Sequence, residues 1–182
     1  MSSINFGSSA DGSYLHYARQ GKMFMANAIV TAPVIFSTAA GTGGPFLWNG
    51  TTNKNAVLLA VTCGITVVST VAAALGITGN SGQTAAPTRT TAIDSVANCL
   101  IGRSAPTCNV YRVGTPSSAG NFFFPLLQLG TGALTVEDVN MGFIDLGGAI
   151  VVPPGSWVSI AASATASTTV ANLGLLWAEI DL

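Results

Sequence analysis

The stretch AVLLAVTCGITVVSTVAAALGIT, residues 56–78, runs for 23 positions without a charged residue. By length and hydropathy alone it could span a membrane as a helix. Apolar side chains nevertheless recur at every second position, and several positions between them are small or hydroxylated: Val57, Leu59, Val61, Cys63, Ile65 and Val67 against Thr62, Gly64 and Thr66. A period of two with many β-branched residues is typical of strands, and no basic cluster flanks the stretch. The pattern therefore predicts one or two buried β-strands.

The rest of the chain shows the same character in shorter runs. Apolar segments alternate with segments rich in Gly, Pro, Asn, Ser and Thr, which is the pattern of an all-β protein. We expect two strands around Pro33 within 22–36, a helical turn or strand at 92–102, and further strands at 45–48, 56–70, 71–77, 105–113, 141–146, 149–152, 157–162 and 172–182. Residues 1–20 are expected to form an extended N-terminal arm, and residues 21–182 a single β-sandwich domain.

The sequence PPGS at 153–156 is the clearest turn. Proline presets its own backbone angle and glycine tolerates a positive φ, so this turn should join two antiparallel strands. About eight strands with long connections suit an antiparallel two-sheet sandwich, and a jelly roll is our first choice among these. Immunoglobulin-like sandwiches are more often about 100 residues long.

Charge is unusually scarce in this chain. Its 182 residues include Lys+Arg 6, Asp+Glu 7 and one His, so that 7% are charged at a mean hydropathy of +0.55. An ordinary soluble domain has about 25% charged residues. Six basic residues at a net charge of −1 are too few for a nucleic-acid binder, and the apolar content argues against disorder. Much of the surface should therefore be uncharged, or covered by other protein.

Few residues suggest catalysis or metal binding. His16, the single imidazole, lies between aromatic residues in the N-terminal arm, where packing or a surface position is the simpler interpretation. The adjacent carboxylates Glu137 and Asp138 would point to opposite faces of a strand, and a solvated loop is the expectation there. The odd number of cysteines, Cys63, Cys99 and Cys108, favours free thiols made in a reducing compartment, although a Cys99–Cys108 bridge stays open. We therefore expect no enzyme activity, no cofactor and no metal.

The segment FFFPLL at 122–127 is the strongest candidate for a contact surface. Successive side chains of an extended segment alternate, so three consecutive aromatics cannot all face one core. Either protein covers both sides, or one side is an interface. The interface candidates are Phe122, Phe123, Phe124, Leu126, Leu127, Tyr14, Tyr17, Trp48 and Trp157. Together with the sparse charge they suggest self-association, with a homotrimer chosen by analogy to jelly rolls of viral shells.

Three stretches resemble small structural proteins of tailed bacteriophages. These are RQGKMFMANAIVTAPVIF at 19–36, PFLWNGTTNKNAVLLAV at 45–61, and GGAIVVPPGSWVSIAAS at 147–163 followed by LGLLWAEIDL at 173–182. The order of the stretches matches as well, although the family tends to end on two acids followed by Val-Pro where this chain has AEID.

The resemblance implies a virion protein of the head-decoration or cement type. Such a protein would be made in the bacterial host cytoplasm and located on the capsid surface. It would bind major capsid protein and further copies of itself, and neither nucleic acid nor membrane. The alternative is a receptor- or glycan-binding module of the head or tail, in which Trp48, Trp157 or Trp177 stacks on sugars.

Overall fold

The computed structural model describes residues 10–31, 35, 42–67, 72–83, 85–93, 95–129, 141–164 and 169–182. These ranges contain one helix and eleven strands: α1 (Ala10–Arg19), β1 (Met23–Thr31), β2 (Thr42–Asn49), β3 (Lys54–Val67), β4 (Ala73–Asn80), β5 (Thr88–Ala92), β6 (Ser95–Asn98), β7 (Asn109–Thr115), β8 (Phe122–Leu129), β9 (Met141–Val152), β10 (Ser156–Ala162) and β11 (Val170–Asp181). The uncharged stretch at 56–78 supplies most of β3 and of β4. Within the described ranges there is no helix with the length and hydropathy that a membrane span requires.

The strands form two antiparallel sheets that pack as a sandwich, which confirms the predicted fold class. One sheet has the order β6-β1-β11-β3-β9 and the other the order β5-β7-β2-β10-β4-β8. The series β1-β11-β3-β9 against β2-β10-β4-β8 is compatible with a jelly roll, in which strands that follow each other in sequence largely alternate between the sheets. Strands β5, β6 and β7 are additional to these eight. Strand β6 extends the first sheet next to β1, and β7 and β5 extend the second sheet next to β2.

The core lies between the two sheets. The five-stranded sheet contributes the inward side chains of β11, Leu173, Leu175 and Trp177, and the six-stranded sheet contributes Leu47, Leu75, Ile77, Val158 and Ile160. All eight are at most 1% exposed. Burial of each such side chain stabilises the fold by about 1.5–3 kcal/mol before entropy is counted. These three residues of β11 lie at alternate positions, so that one face of this strand fills the core.

A β-bulge at Leu59 changes the phase of β3. Leu58 and Ala60 pair with consecutive residues of β11, Trp177 and Leu176, so that Leu59 is left without a partner in the ladder. Val61, Cys63 and Ile65 face the core as the alternation predicts, whereas Ala56 and Leu58 face it on the other side of the bulge. The expectation that Val57 and Leu59 share that face is therefore wrong. An extra residue reverses the alternation, and a wholly apolar run does not reveal where it lies.

The N-terminal segment differs from the predicted extended arm. Its residues 10–19 form α1, which packs against the five-stranded sheet. The hydroxyl of Tyr14 donates to the carbonyl oxygen of Leu59 at 2.8 Å, so the helix satisfies the backbone at the bulge. The same hydroxyl is hydrogen-bonded to Asp145 of β9. Helix α1 is stabilised by its contacts with the sheet, because ten residues are too few for an isolated helix to be stable.

The PPGS turn has the predicted role, and it joins β9 to β10. Gly155 adopts φ +71°, and the Ser156 amide donates to the carbonyl of Pro153 at 3.1 Å. The two strands expected at 141–146 and 149–152 are a single strand, β9, in which Gly147 and Gly148 take positive φ values. Two consecutive glycines allow the strand to bend there without ending.

Replacement of Gly155 by Ala should destabilise the fold by about 1–2 kcal/mol, because an L side chain is strained at positive φ. Chemical denaturation at pH 7, followed by tryptophan fluorescence, measures this change. Gly142→Ala is the matched control. A Cβ at Gly142 would meet its nearest neighbour at 4.0 Å, an ordinary contact, and the stability should change by less than about 0.5 kcal/mol. Equal losses in both variants would show that the turn geometry is not the cause.

Candidate interaction surface

The aromatic segment predicted as an interface forms β8, an edge strand of the six-stranded sheet. In the described part of the chain β8 pairs with β4 alone. Phe122 and Phe124 lie opposite Gly79 and Ile77, on the inward side of the sheet, and Phe123 lies opposite Thr78 on the other side. Pro125 fits an edge strand, because it has no amide hydrogen to donate. We call residues 122–127 the β8 edge.

The β8 edge leaves large apolar side chains in contact with solvent. Phe122 is 39% and Phe124 50% exposed although both lie on the inward side of the sheet, because β8 is its edge strand. Phe123, Leu126 and Leu127 are half-buried. A cavity of about 150 Å³ separates Phe122 from Ile150 and Val152 of β9. The two edge strands β8 and β9 therefore border the same open side of the sandwich.

The tryptophans are less accessible than the sequence suggests. Trp157 is 2% exposed and stacks on Phe46 with ring centroids 5.0 Å apart, so in the described part of the chain it has almost no surface left for a partner. Trp48, its cross-strand neighbour, is half-buried, and its ring lies over Gly50. Phe46 also stacks on Tyr111 at 6.2 Å. These rings lie on the face of the six-stranded sheet away from the core, where they form a second apolar layer, and Trp157 offers no platform for a sugar.

The two tyrosines of the N-terminal segment lie on α1. Tyr14 is half-buried and uses its hydroxyl within its own chain, on Leu59 and Asp145. Tyr17 is half-buried and meets the ring of His16 edge-on, with centroids 5.6 Å apart. The His16 ring is exposed and lies 2.9 Å from the Gln20 side-chain nitrogen, one helical turn away. The pair His16 and Gln20 contains no nucleophile that the imidazole could activate.

The described cysteines are all free thiols, and no bridge joins Cys99 to Cys108. Burial raises the pKa of Cys63 to about 11 and also raises the pKa of Cys99. Burial, together with the nearby Glu179 carboxylate, raises the pKa of Cys108 further. Thiols with raised pKa values are poor nucleophiles at neutral pH. No cluster of three metal-binding side chains occurs among the described residues, and Glu137 and Asp138 lie outside them.

The buried carboxylate of Glu179, near the end of β11, was not singled out from the sequence. It is 3% exposed and accepts hydrogen bonds from the backbone amides of Thr107 and Cys108, each at 2.9 Å, and from the Thr107 hydroxyl. The ammonium group of Lys54 lies 3.7 Å away. Burial alone would raise the pKa of Glu179, but the hydrogen bonds from Thr107 and Cys108 outweigh it and hold the pKa below its ordinary value. The ionised carboxylate thus ties the start of β7 to the other sheet.

Comparisons with protein-family models, with curated proteins and with solved structures gave no match. The functional argument therefore rests on features of this chain alone. They are an exposed aromatic edge, a low content of charged residues, and a buried carboxylate that holds two segments together. Of the predicted interface residues, the structure brings Phe122, Phe123, Phe124, Leu126 and Leu127 together on one strand. Tyr14, Tyr17, Trp48 and Trp157 lie elsewhere in the fold.

Replacement of Glu179 by Gln should cost about 3 kcal/mol of stability at pH 7, because an ionised acceptor of several hydrogen bonds is lost. The pKa of Glu179 is lower in the folded state than its usual value of about 4.3, so its contribution is complete above about pH 5. It disappears as the pH falls through the folded pKa. The difference between the wild type and the variant, measured by urea denaturation, should therefore shrink below about pH 4.

Asp181→Asn is the matched control for Glu179→Gln. The hydrogen bond and the charge of Lys22 lower the pKa of Asp181, but this ion pair is exposed and Asp181 contacts neither Thr107 nor Cys108. The control should leave stability almost unchanged at every pH. A Glu179→Gln deficit that stays constant down to pH 2 would contradict the ionised state of Glu179.

Proposed function

We propose that this chain is a non-enzymatic structural protein of a bacteriophage virion, which decorates the capsid and bridges neighbouring major capsid subunits. The observation that carries the proposal is the β8 edge: Phe122 and Phe124 are 39% and 50% exposed in a chain with 7% charged residues. Exposed aromatic side chains of this kind are favoured anchors of protein–protein contacts. The likeness of three stretches to phage structural proteins supports the virion setting.

The protein would act by holding neighbouring capsid subunits together. Contact along the β8 edge would remove apolar surface from water, and each square ångström contributes about 25 cal/mol to association. The scarcity of lysine and arginine favours a protein partner, because DNA would require basic residues to displace its counterions. A subunit that bridges capsomers in this way opposes the outward pressure of the packaged genome. Self-association in a closed ring, with three copies as the preferred number, would present several such edges at once.

The open side of the sandwich suits such a contact. Because β8 and β9 both border it, a partner segment placed there would meet Phe122, Phe124 and Ile150 together. Pro125 keeps the edge from pairing freely with any strand, since the ladder cannot continue through it. Side-chain packing would therefore contribute more to the contact than backbone hydrogen bonds.

Light scattering in solution should give the mass of a homo-oligomer for the wild type, and the double variant Phe122→Ser/Phe124→Ser should shift the mass toward the 18.3 kDa monomer. Each lost aromatic contact should weaken association by about tenfold or more. Ile101→Ser is the matched control, because Ile101 is 96% exposed but lies beyond the opposite edge of the sandwich, next to β6. Circular dichroism establishes that each variant is folded.

Binding to the capsid is the decisive measurement. The wild type and Ile101→Ser should co-sediment with empty shells of the phage that encodes the chain, at a fixed number of copies per shell. The Phe122→Ser/Phe124→Ser protein, folded by circular dichroism, should remain in the supernatant. A monomeric wild type that fails to sediment with the shells would overturn the proposed function.

A further inference from the structure

The face of the five-stranded sheet that points away from the core contains a furrow. One row of cross-strand neighbours runs from Asn27 on β1 through Gly174 and Thr62 to Phe143 on β9. The adjacent row places Asn172 of β11 beside Gly64 of β3. The cavity over these residues measures about 460 Å³. Its volume lies within the range of about 300–1,000 Å³ that is typical of ligand sites.

Glycines form the floor of the furrow. Neither Gly174 nor Gly64 carries a side chain, so the sheet is thin between the larger residues on both sides. A Cβ added to Gly174 would lie 2.3 Å from the Thr62 hydroxyl oxygen, which shows that this hydroxyl bends over the glycine. Glycine inside a strand often marks a place where another molecule approaches the backbone closely.

Polar side chains that hydrogen-bond to no other described residue line the walls. The side chains of Asn27, Thr62 and Asn172 make no hydrogen bond to any other described residue, whereas the Thr66 hydroxyl donates to the Val170 carbonyl at 3.1 Å. Thr62 and Asn172 are exposed, and Asn27 is half-buried. Amide and hydroxyl groups each both donate and accept. The furrow therefore presents free donors and acceptors without a formal charge.

An aromatic ring closes one end of the furrow. Phe143 is 60% exposed, more than any of the three phenylalanines of the β8 edge. No charged residue lines the cavity in the described part of the chain. The nearest acid along the strand, Asp145, is on the same face two residues further on and is engaged with Tyr14 and the Gly147 amide. An anion would gain no partner here and would meet this carboxylate.

The polar groups, the aromatic ring and the uncharged lining together indicate which class of ligand the furrow would bind. An apolar protein surface would leave the three polar side chains unsatisfied, which is costly. Among the described lining residues an ion would find no counter-charge, and nucleic acid would find no basic residue. An uncharged sugar chain would match the lining of the furrow. Its hydroxyl groups can hydrogen-bond to the amide and hydroxyl side chains, and its C–H face can pack on the ring of Phe143.

We propose that this furrow binds a neutral oligosaccharide. From Asn27 to Phe143 the site crosses three strand spacings, about 14 Å, so it accommodates several linked sugar rings rather than one. Phe143 carries the stacking contact, and Asn27, Thr62 and Asn172 carry the hydrogen bonds. The site goes beyond the structural role proposed above and lies apart from the β8 edge, so either proposal can fail without the other.

Saturation-transfer difference NMR tests the site with three neutral trisaccharides, chitotriose, cellotriose and maltotriose. At least one should receive saturation from the full-length protein. Anionic sialyllactose should bind more weakly than the best neutral sugar. Phe143→Ala should weaken binding by about tenfold, and Asn172→Ala by about twofold to tenfold. Ile101→Ala is the matched control, since it removes an exposed apolar side chain outside both the furrow and the β8 edge and should leave sugar binding unchanged.

Three results would overturn the proposal. The first is the absence of signal from all three neutral sugars with folded wild-type protein. The second is equal loss of binding in Phe143→Ala and Ile101→Ala. The third is a Phe143→Ala protein whose mass by light scattering falls to that of the monomer while the sugars give no signal, which would make the furrow a contact between copies of this chain.

Discussion

Strand β11 pairs along nearly its whole length with β1 on one side and β3 on the other, and the sandwich depends on this double ladder. The two ladders satisfy the backbone groups of the central strand, which would otherwise be costly to bury. The same strand sends Leu173, Leu175 and Trp177 into the core. At its end Glu179 holds Thr107 and Cys108, so one segment organises both sheets.

Two ion pairs of the described residues involve β11. Lys22 pairs with Asp181 at 2.8 Å, and Lys54 lies beside Glu179. The middle of the five-stranded sheet has amides and hydroxyls on its outward face, and the outward face of the six-stranded sheet holds stacked aromatic rings. Low charge is common to the two proposals made above, which are contact along the β8 edge and binding of an uncharged ligand in the furrow.

The candidate surface was partly visible in the sequence. FFFPLL at 122–127 indicates an exposed aromatic strand, because alternation prevents three consecutive rings from sharing one core. Trp157 shows the limit of that reasoning, since its burial depends on Phe46, which lies more than 100 positions earlier in the chain. The furrow could not be predicted from the sequence. Its residues Asn27, Thr62, Phe143 and Asn172 become neighbours only when four strands pair in register. No local spacing relates them.

Alternation, turn chemistry and composition were by themselves sufficient to determine an all-β sandwich and the β9–β10 turn. These features depend on residues close together in the chain, where the period of the backbone and the φ preference of glycine act directly. The tertiary structure alone decided the bulge at Leu59, the helix α1 that covers it, and the burial of Trp157 and Glu179. Each of these depends on the match between distant segments, since a bulge or a buried carboxylate is stable only when another part of the chain supplies its hydrogen bonds.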